Sequence, residues 1–191
     1  MTAGWSLSVT RPYATIALVA ASCALWIVWH AEPLAYVKTA IIGPLHGDWW
    51  KLFTSQFAYK DGLYAFVTLL TIAIFGWLIE QRHGFTMALA LFLAGGVTGA
   101  LVATAVYPLP FVSGGNGAAL ALLAAWAAAD LDAARRRSHY EGDLLGTAAI
   151  AALLLAMPWA REEGSWLAGV SGGAVGLLVG LGLQRMREAE L

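Results

Sequence analysis

Long apolar runs separated by short polar segments make up most of the chain. A helix needs roughly 20 mostly apolar residues to cross the hydrocarbon core of a bilayer. Runs of about this length predict six transmembrane helices at residues 12–29, 62–80, 85–106, 113–129, 144–159 and 165–184. The third and fourth are separated only by residues 107–111, where Pro108 and Pro110 remove backbone donors and break the helix. The pattern therefore predicts an all-α membrane protein, with one domain over residues 1–191 and no β-strands.

One connector departs from this pattern. Residues 31–62, between the first and second predicted helices, are too polar to span a membrane and are rich in aromatic residues, namely Tyr36, Trp49, Trp50, Phe53, Phe57 and Tyr59. Amphipathic, aromatic-rich segments are typical of the boundary between lipid headgroups and acyl chains. We therefore expect an amphipathic interfacial loop between helices 1 and 2.

The composition agrees with a membrane protein. The 191 residues are 60% hydrophobic and 12% charged, about half the charged fraction of roughly 25% in soluble domains. The net charge of −1 gives no indication of a nucleic-acid partner. The histidines and Cys23 lack the spacing of metal ligands, and no glycine-rich phosphate loop follows a strand, so we expect neither a metal nor a cofactor.

The basic residues are distributed unevenly between the two ends of the predicted bundle. With the N-terminus in the cytoplasm, the cytoplasmic side carries Arg11, Arg82, Arg135, Arg136, Arg137, Arg185 and Arg187, whereas the outer side carries only Lys38, Lys51, Lys60 and Arg161. An excess of basic residues marks the cytoplasmic side of a membrane protein. We therefore predict a multi-pass protein with both termini in the cytoplasm, in a prokaryotic cell membrane.

Small residues recur at every fourth position of two predicted helices. The fourth helix has Gly117, Ala121, Ala125 and Ala129, and the sixth has Gly172, Gly176 and Gly180. Such faces allow two backbones to approach closely in a lipid environment, where no hydrophobic force favours helix association. We expect the fourth and sixth helices to pack through these faces.

Several motifs together resemble the rhomboid superfamily of six-helix intramembrane proteins. Trp50 is followed by a basic residue and Leu-Phe-Thr at residues 51–54. The second predicted helix ends in a pattern of glycines and charges formed by Gly76, Glu80, Gln81, Arg82 and Gly84, in which Gln81 separates the acid from the base. The resemblance covers nearly the whole chain and implies structural roles for Trp50, Glu80 and Arg82.

The resemblance implies the frame of an intramembrane serine protease. In that family a serine in a Gly-x-Ser-Gly context attacks the peptide, a histidine on the last helix acts as base, and a histidine and an asparagine on the second helix stabilise the oxyanion. A hydroxyl needs a neighbouring base, and an oxyanion needs donors already in place. Here Asn116 stands at the serine position, Val170 at that of the base, and Tyr64 and Thr68 at the oxyanion pair. The resemblance thus implies a catalytically inactive pseudoprotease with no catalytic residues.

Buried polar groups inside a membrane are costly and are often functional. We expect Asn116, Tyr64 and Thr68, with Gly115 beside them, to form a small hydrogen-bonded cluster. Such a cluster either holds the helices together or forms a site for a ligand or peptide.

The resemblance implies that the protein binds, sorts or stabilises another transmembrane protein or helix, in contact with membrane lipids. Two alternatives stay open. One is an active intramembrane serine endopeptidase with a non-standard site that uses Ser113 or Ser171, and the other is a protein that handles lipids or small solutes. The predicted helix interiors lack charges, which disfavours ion-coupled transport. The sequence carries no pattern that indicates an oligomeric state.

Overall fold

The computed structural model describes residues 11–135 and 144–189. Six long helices make up most of this part of the chain. They are α1 (Tyr13–Ala31), α4 (Gly62–His83), α5 (Phe85–Val106), α6 (Asn116–Arg135), α7 (Leu144–Ala160) and α8 (Trp166–Ala189). Arg136 and Arg137, two of the residues that support the predicted orientation, lie outside the described residues.

Four of these helices are long and apolar enough to cross a membrane: Tyr13–Ala31, Gly62–His83, Phe85–Val106 and Trp166–Met186. Helix α7 is apolar but has only 17 residues. Helix α6 is less apolar because Asn116 lies at its start, and Asp130 and Asp132 lie in its last turns. The protein is therefore a predominantly helical, multi-pass membrane protein.

The connector between α1 and α4 contains short elements. They are α2 (Pro33–Thr39), β1 (Ile41–Ile42), α3 (Lys51–Thr54) and a 3₁₀ turn (Ser55–Phe57). Strand β1 pairs in antiparallel register with β2 (Phe111–Val112), so that Ile41 lies opposite Val112. The prediction of no strands was therefore wrong. The pair is two residues long, and it links the connector to the segment that precedes α6.

Helices α6 and α8 pack backbone to backbone through their small residues. A Cβ added at Gly172, Gly176 or Gly180 would lie 2.6 Å from the Cα of Gly117, the Cα of Ala121 or the carbonyl oxygen of Ala125, respectively. These contacts advance by four residues on both helices, so the two helices run parallel. Side chains larger than hydrogen do not fit at the three glycines.

Helix α5 joins this pair at the connector end of the bundle. A Cβ at Gly99 would lie 2.6 Å from the Ala168 carbonyl oxygen, and one at Gly95 would lie 3.0 Å from the Gly117 carbonyl oxygen. Three backbones therefore meet beside the first turn of α6. This contact leaves little freedom for the position of Asn116, the first residue of that helix.

Glu80 attaches α1 to the rest of the bundle at the opposite end. Its carboxylate is only 3% exposed and accepts hydrogen bonds from the Ala14 N–H (2.9 Å), the Thr15 N–H (2.9 Å) and the Thr15 hydroxyl (2.8 Å). The acid thus satisfies the free N–H groups at the start of α1, where the helix dipole favours negative charge. Gly76, one turn earlier on α4, makes this approach possible, because a Cβ there would lie 3.0 Å from the Thr15 hydroxyl.

We predict that Gly176→Leu destabilises the protein by at least about 1–3 kcal/mol, because the new side chain would collide with the Ala121 backbone. The measurement is thermal or denaturant unfolding in detergent. Gly182→Leu on the same helix is the matched control, since a Cβ there meets nothing within 4 Å. This control should be neutral, or stabilising by up to about 1 kcal/mol, because leucine is the better helix former. Equal effects of the two substitutions would contradict the predicted α6–α8 contact.

Candidate functional site

A tight turn places Asn116 at the start of α6. Gly114 adopts a positive φ of 77° and lies against two tyrosine rings, so that a Cβ there would be 2.9 Å from the Tyr59 ring. The Gly115 N–H donates a hydrogen bond to the Tyr59 hydroxyl (3.0 Å). Residues 113–115 therefore form a turn instead of the first turn of the helix, and α6 begins three residues later than predicted.

The Asn116 side chain is enclosed, with 2% of its surface exposed. Neither its oxygen nor its nitrogen has a hydrogen-bond partner among the described residues. An unpaired buried amide costs roughly 1–3 kcal/mol per unsatisfied group. The Asn116 side-chain amide is therefore held in position without a hydrogen-bond partner in the described part of the chain.

The residue that faces Asn116 from α8 is Gly169. A Cβ added at Gly169 would lie 3.0 Å from the Asn116 Nδ2 atom. Val170, the position expected for the base, is 48% exposed and points away from this contact. One residue of helix is about 100° of rotation, so the neighbouring position lies on a different face. The chain thus has glycine at the position on α8 that faces Asn116.

Tyr64 and Thr68 are fully buried on α4, as the expected cluster requires, but they do not complete it. The Tyr64 hydroxyl donates to the Ser113 carbonyl oxygen (3.1 Å) instead of to Asn116. The Thr68 hydroxyl has no hydrogen-bond partner among the described residues. The predicted direct hydrogen bonds among these three side chains are therefore absent from the described structure, and Tyr64 contacts the turn that precedes Asn116.

Ser113 is the hydroxyl nearest in sequence to Asn116, and its proton is already bonded. Its Oγ donates to the Ala58 carbonyl oxygen (2.9 Å) and accepts from the Tyr36 hydroxyl (3.0 Å). A carbonyl oxygen does not remove a proton from a hydroxyl at neutral pH, so Ser113 is not an activated nucleophile. Sequence reasoning missed Tyr36 because it lies 77 residues away, in the connector.

The surrounding tyrosines also remain protonated. Burial raises the pKa of Tyr36 to about 12, and burial raises the pKa of Tyr59 still further. Each phenol is thus neutral at physiological pH. Neither is a base for the Ser113 hydroxyl.

Ser171 and the described histidines offer no alternative pair. The Ser171 hydroxyl donates to the Leu167 carbonyl oxygen within α8. His30, His46 and His83 are exposed, and the imidazole of His30 contacts the Trp26 carbonyl oxygen within α1. His139 lies outside the described residues.

A salt bridge and a hydrogen bond connect the loop between α7 and α8 to the start of α4. Arg161 forms a salt bridge with Asp61 (2.9 Å), and the buried Glu163 carboxylate accepts from the Lys60 N–H (3.0 Å).

Asp61 also accepts from the Tyr64 N–H (2.8 Å), which caps α4. That hydrogen bond, followed by the one from Arg161, holds the pKa of Asp61 below its usual value. The contribution of this carboxylate to stability is therefore present above its unfolded-state pKa and is lost only in acid.

A cavity of about 370 Å³ lies beside these contacts, between the start of α4 and the end of α7. Its lining includes Lys60, Asp61, Phe111, Ala160 and Glu163. Asn116, Tyr64 and Thr68 do not line this cavity and are closed to solvent. Access of a ligand to Asn116 therefore requires a movement of the surrounding helices or of the α7–α8 loop.

Two further predicted structural residues lie near the ends of the bundle. Trp50 is about half exposed, and its ring lies below the Lys51 ammonium (5.7 Å to the centroid). The Arg82 guanidinium lies over the Trp126 ring on α6 (4.9 Å to the centroid). Both are cation–π contacts.

Comparison with known families agrees with the helical membrane-protein architecture. Residues 46–186, well over half of the chain, match the family described as the rhomboid domain. A search of curated proteins found no match. The matched region includes the turn at residues 113–115, Asn116 and the contact between α6 and α8. The resemblance drawn from the sequence is thereby confirmed, and the chain belongs to the rhomboid family.

Proposed function

We propose that this protein is a non-catalytic rhomboid-family membrane protein that binds a transmembrane segment of another protein. The observation that carries the proposal is the pair formed by Asn116 and Gly169. An amide nitrogen is not a nucleophile, and glycine has no side chain to accept a proton. The hydrogen bonds of Ser113 and Ser171 to backbone carbonyls argue against a substitute nucleophile.

The proposal predicts that the wild type does not react with a fluorophosphonate, whereas Asn116→Ser combined with Gly169→His reacts weakly. The shorter serine frees the space that the new imidazole needs, and the remaining neighbour, a Leu120 methyl group, is at the end of a flexible side chain. We expect the labelling to be weak because losing one oxyanion donor alone costs roughly 10²–10³ in rate. The measurement is in-gel labelling of the purified, folded variants.

Asn116→Ser combined with Val170→His is the matched control, because Val170 is exposed on another face of α8. It carries the same two side chains and should remain unlabelled. Labelling of the wild type that is lost on Ser113→Ala or Ser171→Ala would refute the non-catalytic proposal. Equal labelling of the two double variants would refute the assignment of Gly169 as the facing position.

The binding part of the proposal is supported by the loose attachment of α7. Only Leu154 and Met157 of this helix are buried, whereas α4 buries residues along its whole length. The cavity of about 370 Å³ lies where α7 ends beside the start of α4. A helix that buries so little apolar surface can move apart from its neighbour at low cost, which would admit a client segment from the lipid.

A photoreactive residue at position 160 tests this site, since Ala160 lines the cavity and is exposed. In native membranes we expect crosslinks to a transmembrane segment of another protein, mapped by mass spectrometry. The same probe at Leu178, which is 70% exposed on α8, is the control and should give lipid adducts only. Equal protein crosslinking from both positions would mean that the α4–α7 face has no preference for a client.

We further propose that all six long helices cross the membrane, with the connector outside as an interfacial loop. Exposed apolar side chains along the connector support this placement, among them Leu34, Val37, Trp49 and Phe53. The excess of basic residues at the opposite end supports cytoplasmic termini.

A reporter fused after Leu191 should therefore be active only in the cytoplasm, and one inserted after Lys38 only outside. Detection of both reporters on the same side would contradict the proposed six-span topology.

A further inference from the structure

A small cavity lies at the end of the bundle opposite the connector, between α4, α6 and α8. Its volume is about 70 Å³, and its lining includes Arg82, Trp126, Gly180 and Gln184. A cavity needs roughly 10–15 Å³ of such volume to hold one water molecule, so this cavity has room for a group several times larger than one water.

Two donors line this cavity. The Gln184 Nε2 atom is buried and has no hydrogen-bond partner among the described residues. The Arg82 guanidinium lies over the Trp126 ring (4.9 Å to the centroid), and a guanidinium carries five N–H donors. The cation–π contact with Trp126 thus holds the Arg82 guanidinium beside the cavity that both residues line.

A compact anionic acceptor would pair with both the Gln184 amide and the Arg82 guanidinium. Leaving a buried amide donor unpaired is unfavourable, and a bound acceptor recovers part of that cost. Guanidinium pairs with phosphate oxygens in fixed, often bidentate geometry. The cavity also lies at the level of the last turns of α4 and α8, where a spanning helix meets the lipid headgroups.

We propose that Arg82 and Gln184 form a binding site for a phosphate group at this end of the bundle. The group is either that of an anionic lipid headgroup or free phosphate. His83 also lines the cavity and has an interaction of its own within the protein, so the site is assigned to Arg82 and Gln184 alone.

The test is a titration of the full-length protein in uncharged detergent with short-chain phosphatidylglycerol, followed by thermal shift or native mass spectrometry. Diacylglycerol of the same chain length, which lacks the phosphate, should not bind.

Gln184→Leu carries no change in charge, so it leaves diffuse attraction to anionic lipid intact. It should weaken binding about tenfold, because a hydrogen bond to a charged acceptor contributes at least about 1.4 kcal/mol. Arg82→Ala should weaken binding about tenfold or more.

Gln81→Leu is the matched control, since Gln81 precedes Arg82 on α4 but is exposed and does not line the cavity. Its affinity should equal that of the wild type. Gln184→Leu should also be at least as stable as the wild type without lipid, because it removes an unsatisfied donor. This result would separate loss of binding from loss of folding.

Inorganic phosphate distinguishes the two sources. Protection by inorganic phosphate in the millimolar range, abolished by Arg82→Ala, would assign the site to free phosphate. Protection by phosphatidylglycerol alone would assign it to lipid. Wild-type affinity in Gln184→Leu, or equal binding of diacylglycerol, would overturn the proposed site.

Discussion

The parallel packing of α6 on α8 is the contact on which the rest of the structure depends. Glycine or alanine at every fourth position lets the two backbones touch, and α5 adds a third backbone beside the first turn of α6. In a lipid environment such close contact supplies the attraction that the hydrophobic effect cannot. Because the two helices are in register, the same contact places Gly169 against Asn116 and fixes what lies at the centre of the site.

The polar groups inside the bundle show which parts of this frame are structural. Glu80 carries a buried carboxylate, and its three hydrogen bonds to the start of α1 satisfy it. Ser113, Tyr36 and Tyr64 are likewise bonded to one another or to the backbone. Asn116 and Thr68 have no described partner. Since unsatisfied buried polar groups are costly, a movement that admits water to these two side chains would reduce that cost.

The site lies within a rhomboid-family frame, and backbone contacts set its shape. The turn at Gly114, the first turn of α6 and the glycine-lined contact with α8 are all present. Asn116 stands where the resemblance implies a nucleophile, and Gly169 is the residue of α8 that faces it. The Ser113 and Ser171 hydroxyls donate to backbone carbonyl oxygens. This arrangement supports a role in which the frame binds a membrane segment and performs no proton transfer.

The sequence by itself determined the apolar runs, the repeated small residues and the lack of a serine at position 116. These are local patterns, readable from helical periodicity and residue chemistry. Only the tertiary structure decided that Gly169 rather than Val170 faces Asn116, because a one-residue shift turns a helix by about 100°. It also decided that Glu80 caps α1, since its partners lie 65 and 66 residues away along the chain. The later start of α6 depends in the same way on Gly114, whose positive φ is set by packing against Tyr59 and Tyr64.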